Sequence, residues 1–312
     1  MRRIAFTLAA FLVFTATVHA QQQVQWISNM EQGISQARQV DLPIMFYVAG
    51  STSGSKDDDR KRAQQATFRD PLIAQMAQAR FVPVRLSIST QTKEFLERVG
   101  APTSYGNYLI LTTPDLELLS LVQGDQAASV SALASKMTEN FRLFRKQLFE
   151  KKYKDKLESP DTNANEKISI LKTIDRYVIT EADESAAKLL EDSSLPANLS
   201  RKVYDTLSTL GTQRCVDALL KLAPNDKNAA KALAKCPDGA AEFLLPKLKS
   251  EDQEEFYAAY AAIVKICKLG TPKPKGFWSG KNQRVIDEEL ARVEKGAQRA
   301  ADTWKRTFGL YR

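Results

Sequence analysis

The chain has 312 residues, 43% of them apolar and 26% charged, and its Lys and Arg outnumber Asp and Glu to give a formal net charge of +8. That apolar content supports a sizeable core and excludes wholesale disorder. The single histidine is His19, so Ser-His-Asp and Cys-His nucleophilic sites, His-ligated zinc and His-held haem are all excluded from residues 20–312.

Residues 1–20, MRRIAFTLAAFLVFTATVHA, place two arginines before an uncharged run from Ile4 to Val18, and Val18-His19-Ala20 fits a cut after Ala20. This reads as a secretory signal peptide, so the protein is expected to be exported, periplasmic or secreted. A membrane anchor is the competing reading. The run is short for a span, however, and QQQ follows it where a stop-transfer signal would be basic. No later apolar run is long enough to cross a bilayer, and an exported chain is not expected to meet nucleic acid.

From Trp26 to Arg38, apolar residues at helical steps predict an amphipathic helix. Pro43 opens IMFYVAG, a near-continuous apolar run expected of a buried strand, and GSTSGSK then forms a loop into a helix. That loop carries neither GxxxxGK[ST] nor GxGxxG, so no nucleotide cofactor is expected. In KDDDRKR (56–62), Asp57, Asp58 and Asp59 lack EF-hand spacing and read as an acidic first helical turn rather than a metal site. A second helix over 60–79 is expected to break and restart at Asp70-Pro71, where Asp can cap and Pro can take the first helical position. FVPVRLSI (81–88) predicts a strand, TKEFLERVG (92–100) a short helix, YLILTT a third strand, and LELLSLVQG its hairpin partner. A long amphipathic helix then starts near Ala127, with Val130, Leu133, Met137, Phe141, Phe144 and Leu148 at steps of three and four.

Taken together, Trp26 and its helix, IMFYVAG, Phe68-Arg69-Asp70-Pro71, FVPVRLSI and RVGAPT before an antiparallel pair resemble the thioredoxin-like superfamily over residues 24–140. The secreted thioredoxin 7 type is the nearest branch. The resemblance implies an α/β thioredoxin-like sandwich with two cysteines near Ser51 and Gly54, yet neither position is Cys and no cysteine precedes Cys215. Dithiol exchange needs an attacking and a resolving thiol, so classical oxidoreductase activity is excluded for this domain. What the resemblance leaves is a peptide-binding surface, with Ser51, Thr52, Ser53 and Gly54 on one side and Pro102, Thr103 and Tyr105 on the other. Pro102 stands where the family has a proline that is usually cis; an ordinary turn proline is the alternative.

Residues 141–165 read as a connecting helix and linker, with ESPDTNAN (158–165) as its clearest break. Within it, RKQLFEKKYKDK (145–156) reads as a solvated basic face. From 166 to 312, leucine and alanine recur at helical steps between turn signals, which predicts an all-helical domain and allows a solenoid of HEAT-like repeats. In the loop TPKPKGFWSGKNQ (271–283), Phe277 and Trp278 are expected to dock onto that domain before a last helix over 284–308. Cys215, Cys236 and Cys267 fall in or beside apolar helix faces. They are either buried inert thiols or include a Cys236–Cys267 bridge.

The function expected from these features is a redox-inactive scaffold that binds an envelope protein or peptide. Two alternatives stay open. One is an accessory factor in envelope thiol-disulfide metabolism that uses a helical-domain cysteine. The other is a hydrolase in a cleft between the domains, with Ser51, Ser53 or Ser55 beside a Lys or carboxylate base. Glu94, Glu97 and Asp115 show no pairing that marks them as catalytic. No cofactor or metal is called for, and the sequence sets no oligomeric state.

Overall fold

The computed structural model describes residues 23–50, 55–87, 89–103, 107–192 and 194–307. They divide into two compact units, the first ending at Phe144 and the second starting at Arg145. The expected signal peptide lies outside the described residues.

In the first unit, helix α1 (Met30–Val40) starts where the Asn29 side chain accepts from the Gln32 amide at 2.9 Å. Strand β1 (Ile44–Val48) follows, every residue of it buried, as its unbroken apolar run requires. Helices α2 (Ser55–Phe68) and α3 (Pro71–Arg80) are separate. The break comes where expected, because Asp70 accepts from the Leu72 amide and Pro71 gives up no hydrogen bond at the first helical position. Strand β2 (Val82–Leu86), helix α4 (Thr90–Arg98), strands β3 (Tyr108–Thr112) and β4 (Leu118–Gln123), and the single turn α5 (Asp125–Ala128) complete the sheet region. Helix α6 (Val130–Leu148) then runs across the division between the units.

The sheet order is β2-β1-β3-β4, with β1 parallel to β2 and the other two pairings antiparallel. Phe46 and its partner Val84 share one face. On that face the Phe95 ring of α4 sits 4.7 Å from Phe46, and Gly33 of α1 comes so close that a Cβ there would lie 2.3 Å from a Val84 methyl. Tyr47 points to the opposite face, against Trp26 and Phe68 of α2. The unit is therefore an α/β sandwich with helices on both faces of a mixed sheet.

The described part of the second unit is helical. A π-helical turn (Phe149–Tyr153) is followed by α7 (Lys154–Glu158), α8 (Ala164–Tyr177), α9 (Asp183–Lys188), α10 (Ala197–Leu210), α11 (Gln213–Leu222) and α12 (Lys227–Leu233). Then come α13 (Ala241–Leu244), α14 (Gln253–Ile266), α15 (Gly276–Gly280) and α16 (Gln283–Thr307), with short 3-10 turns between several of them. Side-chain caps set many starts: Asn163, Thr212, Asp226 and Asp252 each accept from amides of the following first turn. Residues 145–158, expected as part of a connector, belong to this unit and bury Phe149, Tyr153 and Leu157 in it. The basic stretch is exposed at Lys146, Lys151, Lys152, Lys154 and Lys156, whereas Arg145 is buried.

Trp278 docks as expected, its ring 4.8 Å from Phe256 and 4.6 Å from Tyr260. Below it, the Tyr260 hydroxyl donates to Glu289 at 2.7 Å and accepts from the Lys273 amide at 2.9 Å. Arg292 grips Glu289 and the Leu269 carbonyl, so α14, α16 and the loop between them form one network.

Candidate functional site

The sequence-expected surface lies where β1 ends and β3 begins. Of its residues, Ser51, Thr52, Ser53, Gly54 and Tyr105 fall outside the described residues, and Pro102 and Thr103 are described. Both flanking segments are fastened to one side chain that the sequence reading did not single out, Asn107. Its Oδ1 accepts from the Gly50 amide at 3.0 Å and from the Tyr47 hydroxyl at 3.3 Å, while its carbonyl accepts from Gln64 Nε2 at 3.0 Å.

Asn107 therefore ties the last residue before one loop to the first residue after the other, and secures both to α2. Its only sequence signal was an Asn directly before an apolar strand, which is as common in plain turns. Burial raises the Tyr47 hydroxyl above its ordinary pKa, with Arg85 opposing, so the phenol keeps its proton and can donate at neutral pH. Gln64 is 1% exposed, and its Oε1 has no partner among the described residues. Trp26, Tyr47 and Phe68 form an aromatic group beneath this corner, with ring centroids 5.1–5.5 Å apart.

Thr103 is exposed and Pro102 half-buried. The Pro102 carbonyl accepts from the Tyr108 hydroxyl, a bond that ties Pro102 to the first residue of β3. No cis peptide bond occurs among the described residues, so Pro102 is trans, the ordinary turn proline of the two readings.

A hollow of about 600 Å³ opens at the carboxyl end of β2, between the first turns of α1 and α4. Ser28, Glu31, Ser87, Thr92, Glu94 and Arg98 give it a mixed polar lining. The helix-start amides there are already used by Asn29 and Ser89, and Thr92 donates to the Ser87 carbonyl at 2.6 Å. Glu94 thus sits on a hollow, a placement that its position in the sequence did not reveal. Among the described residues, no three His, Cys, Asp or Glu side chains gather as a metal cage would need.

All three cysteines are free thiols, so the Cys236–Cys267 bridge is not formed. Cys215 and Cys236 are buried and Cys267 is partly so. Burial pushes the Cys215 and Cys267 thiols up to about 11. That is the opposite of what an attacking thiol needs.

No helix among the described residues is long and apolar enough to cross a membrane. No protein-family model matches the chain, and no curated protein matches it. Among solved structures, an engineered protein overlaps 80% of this chain and 97% of its own length at 16% identity. The TM-score of that superposition is 0.24, too loose to imply a shared fold.

Proposed function

We propose that residues 24–140 are a thioredoxin-like domain without its dithiol, and that the exported protein works as a scaffold binding a protein or peptide. The observation that carries this reading is the sheet: a parallel crossover from β1 through α2 and α3 to β2, then an antiparallel hairpin placed beside β1. That arrangement supports the reading. The loop after β1, where the family keeps its chemistry, has no sulfur. Even so, Asn107 fixes the ends of both loops that would face a ligand. A surface kept in place without its reactive groups suits binding better than turnover. The helical unit, read as a repeat array, would supply a second contact surface.

The test compares wild-type residues 21–312 with a Thr103→Arg variant, both immobilised and exposed to an envelope extract. Thr103 is exposed, so the variant is expected to fold normally. A species held by the wild type and reduced about tenfold by the arginine supports the surface. Equal retention by both proteins, or none, overturns it.

The thiol alternative makes a different forecast. With thiols at about 11, only about a thousandth of Cys215 or Cys267 is thiolate at pH 8, and reactivity rises only as pH climbs toward 11. Native protein treated with iodoacetamide at pH 8 is therefore expected to stay almost unlabelled over the time in which urea-unfolded protein reacts at all three sites. Rapid labelling of one native cysteine at pH 7 would restore the thiol reading.

A further inference from the structure

The sheet treats its two edges differently. On the β2 side, the Ile27 amide donates to the Pro83 carbonyl and the Arg85 amide donates to the Ile27 carbonyl, both at 2.9 Å, so the leading segment covers that edge. On the β4 side, no strand among the described residues pairs with the outer edge. Exposed edges are usually blunted by charge, proline or shortness. Strand β4 reads LLSLVQ, six residues with no charge and no proline. Leu118 is 43% exposed, and Leu119, Ser120 and Leu121 are only half-buried.

The surroundings of this edge have a definite sign. In a chain of net charge +8, no Lys or Arg occurs between Arg98 and Lys136. Asp115 and Glu117 precede β4 and Asp125 follows it, all three exposed. Arg38 meets Asp115 at 3.5 Å with both side chains more than half exposed. A contact of that kind neutralises little.

We propose that the outer edge of β4 binds an extended peptide segment as an added strand. The segment would be apolar in its middle and carry Lys or Arg at its ends. The unpaired backbone groups call for a strand, the half-buried leucines for alternate apolar side chains, and the acidic ends for basic flanks. A second copy of this chain fits less well. Antiparallel pairing about the middle of β4 would set Asp115 and Glu117 of each copy toward Asp125 of the other, like charge on like. This site requires neither the loop surface nor the thioredoxin resemblance.

The test is fluorescence anisotropy of the full chain with a labelled Lys-Lys-Val-Thr-Val-Thr-Val-Lys-Lys peptide. Two controls accompany it, one with Glu flanks and one with the threonines replaced by proline. The Lys-flanked peptide is expected to bind at least about tenfold more tightly than either control. The Glu117→Lys/Asp125→Lys double variant and Leu118→Lys are each expected to lose about tenfold while unfolding at the wild-type temperature, since all three positions are exposed. Equal binding of the proline control would reduce the effect to bulk charge attraction and overturn the proposal, as would variants that bind like wild type. A concentration-dependent dimer in sedimentation, abolished by Leu118→Lys and without peptide binding, would assign the edge to a second copy instead.

Discussion

Replacing Arg145 by methionine is expected to destabilise the helical unit by about 3–5 kcal/mol, because a buried cation that caps a helix end is lost. Arg145 is 3% exposed, and its Nη1 donates to the carbonyls of Tyr177 at 3.0 Å and Val178 at 2.6 Å. These carbonyls lie at the end of α8, where the helix dipole favours positive charge. The same turn holds Val178 at φ +49°, a left-handed conformation that a β-branched residue rarely adopts. Methionine keeps most of the volume but leaves both carbonyls without this donor. For a unit of this size, calorimetry should show its transition falling by roughly 10 °C. Lys146→Met is the control: that side chain is 56% exposed and meets Glu150 only at 4.0 Å, so its loss should cost under about 0.5 kcal/mol. Val178→Gly removes the backbone strain and should be neutral or stabilising in the wild type. If Arg145→Met and Lys146→Met shift the transition equally, Arg145 does not hold the α8 terminus.

Arg145 also marks where sequence reading loses its grip. In RKQLFEKKYKDK every basic residue has the same local claim to solvent, and the local sequence does not tell which one turns inward. A helical step assigns faces only if the helix is regular. Here the π-helical turn at Phe149–Tyr153 widens the step, so that Arg145, Phe149, Tyr153 and Leu157, each four residues on from the last, are all buried. By contrast, the break at Asp70-Pro71 was legible because capping and the missing proline donor are local physics. The strands were legible for a similar reason: IMFYVAG and YLILTT are apolar without alternation, and the strands within them, Ile44–Val48 and Tyr108–Thr112, are fully buried.

The candidate surface was legible to a different degree on its two levels. Its location follows from chain order, since the end of β1 and the start of β3 come together when the two strands pair. The groups that hold it are long-range. Asn107 meets Gly50, Tyr47 and Gln64 only after the sheet has formed and α2 has packed on it, and nothing local to Asn107 reports those distances. The free thiols follow the same rule. Their helical faces were readable, but whether Cys236 and Cys267 meet depends on packing between helices. The uncovered edge of β4 was similarly hidden, because pairing order decides which strand is last.

Asn107→Ala is expected to loosen the corner between the two loops while leaving the sheet intact. The substitution removes the acceptor of the Gly50 amide and of the Tyr47 hydroxyl, both groups being buried. The backbone carbonyl that binds Gln64 remains. Two orphaned donors cost about 2–4 kcal/mol, paid locally by opening of the loop ends to water. Hydrogen exchange of the Gly50 amide should accelerate roughly 30- to 1,000-fold, whereas the amide of Ile110, buried in the centre of β3, should change far less. Asn107→Asp keeps an oxygen acceptor for both donors and should recover most of the protection, which separates lost hydrogen bonding from simple loss of bulk. Under the scaffold reading, Asn107→Ala should also release the species that Thr103→Arg releases, since the first disorders the surface that the second blocks. Faster exchange at Gly50 with retention unchanged would keep Asn107 as a structural brace and move the binding surface elsewhere. Unchanged exchange at Gly50 would remove the brace itself, and with it the argument that these loop ends are held ready for a ligand.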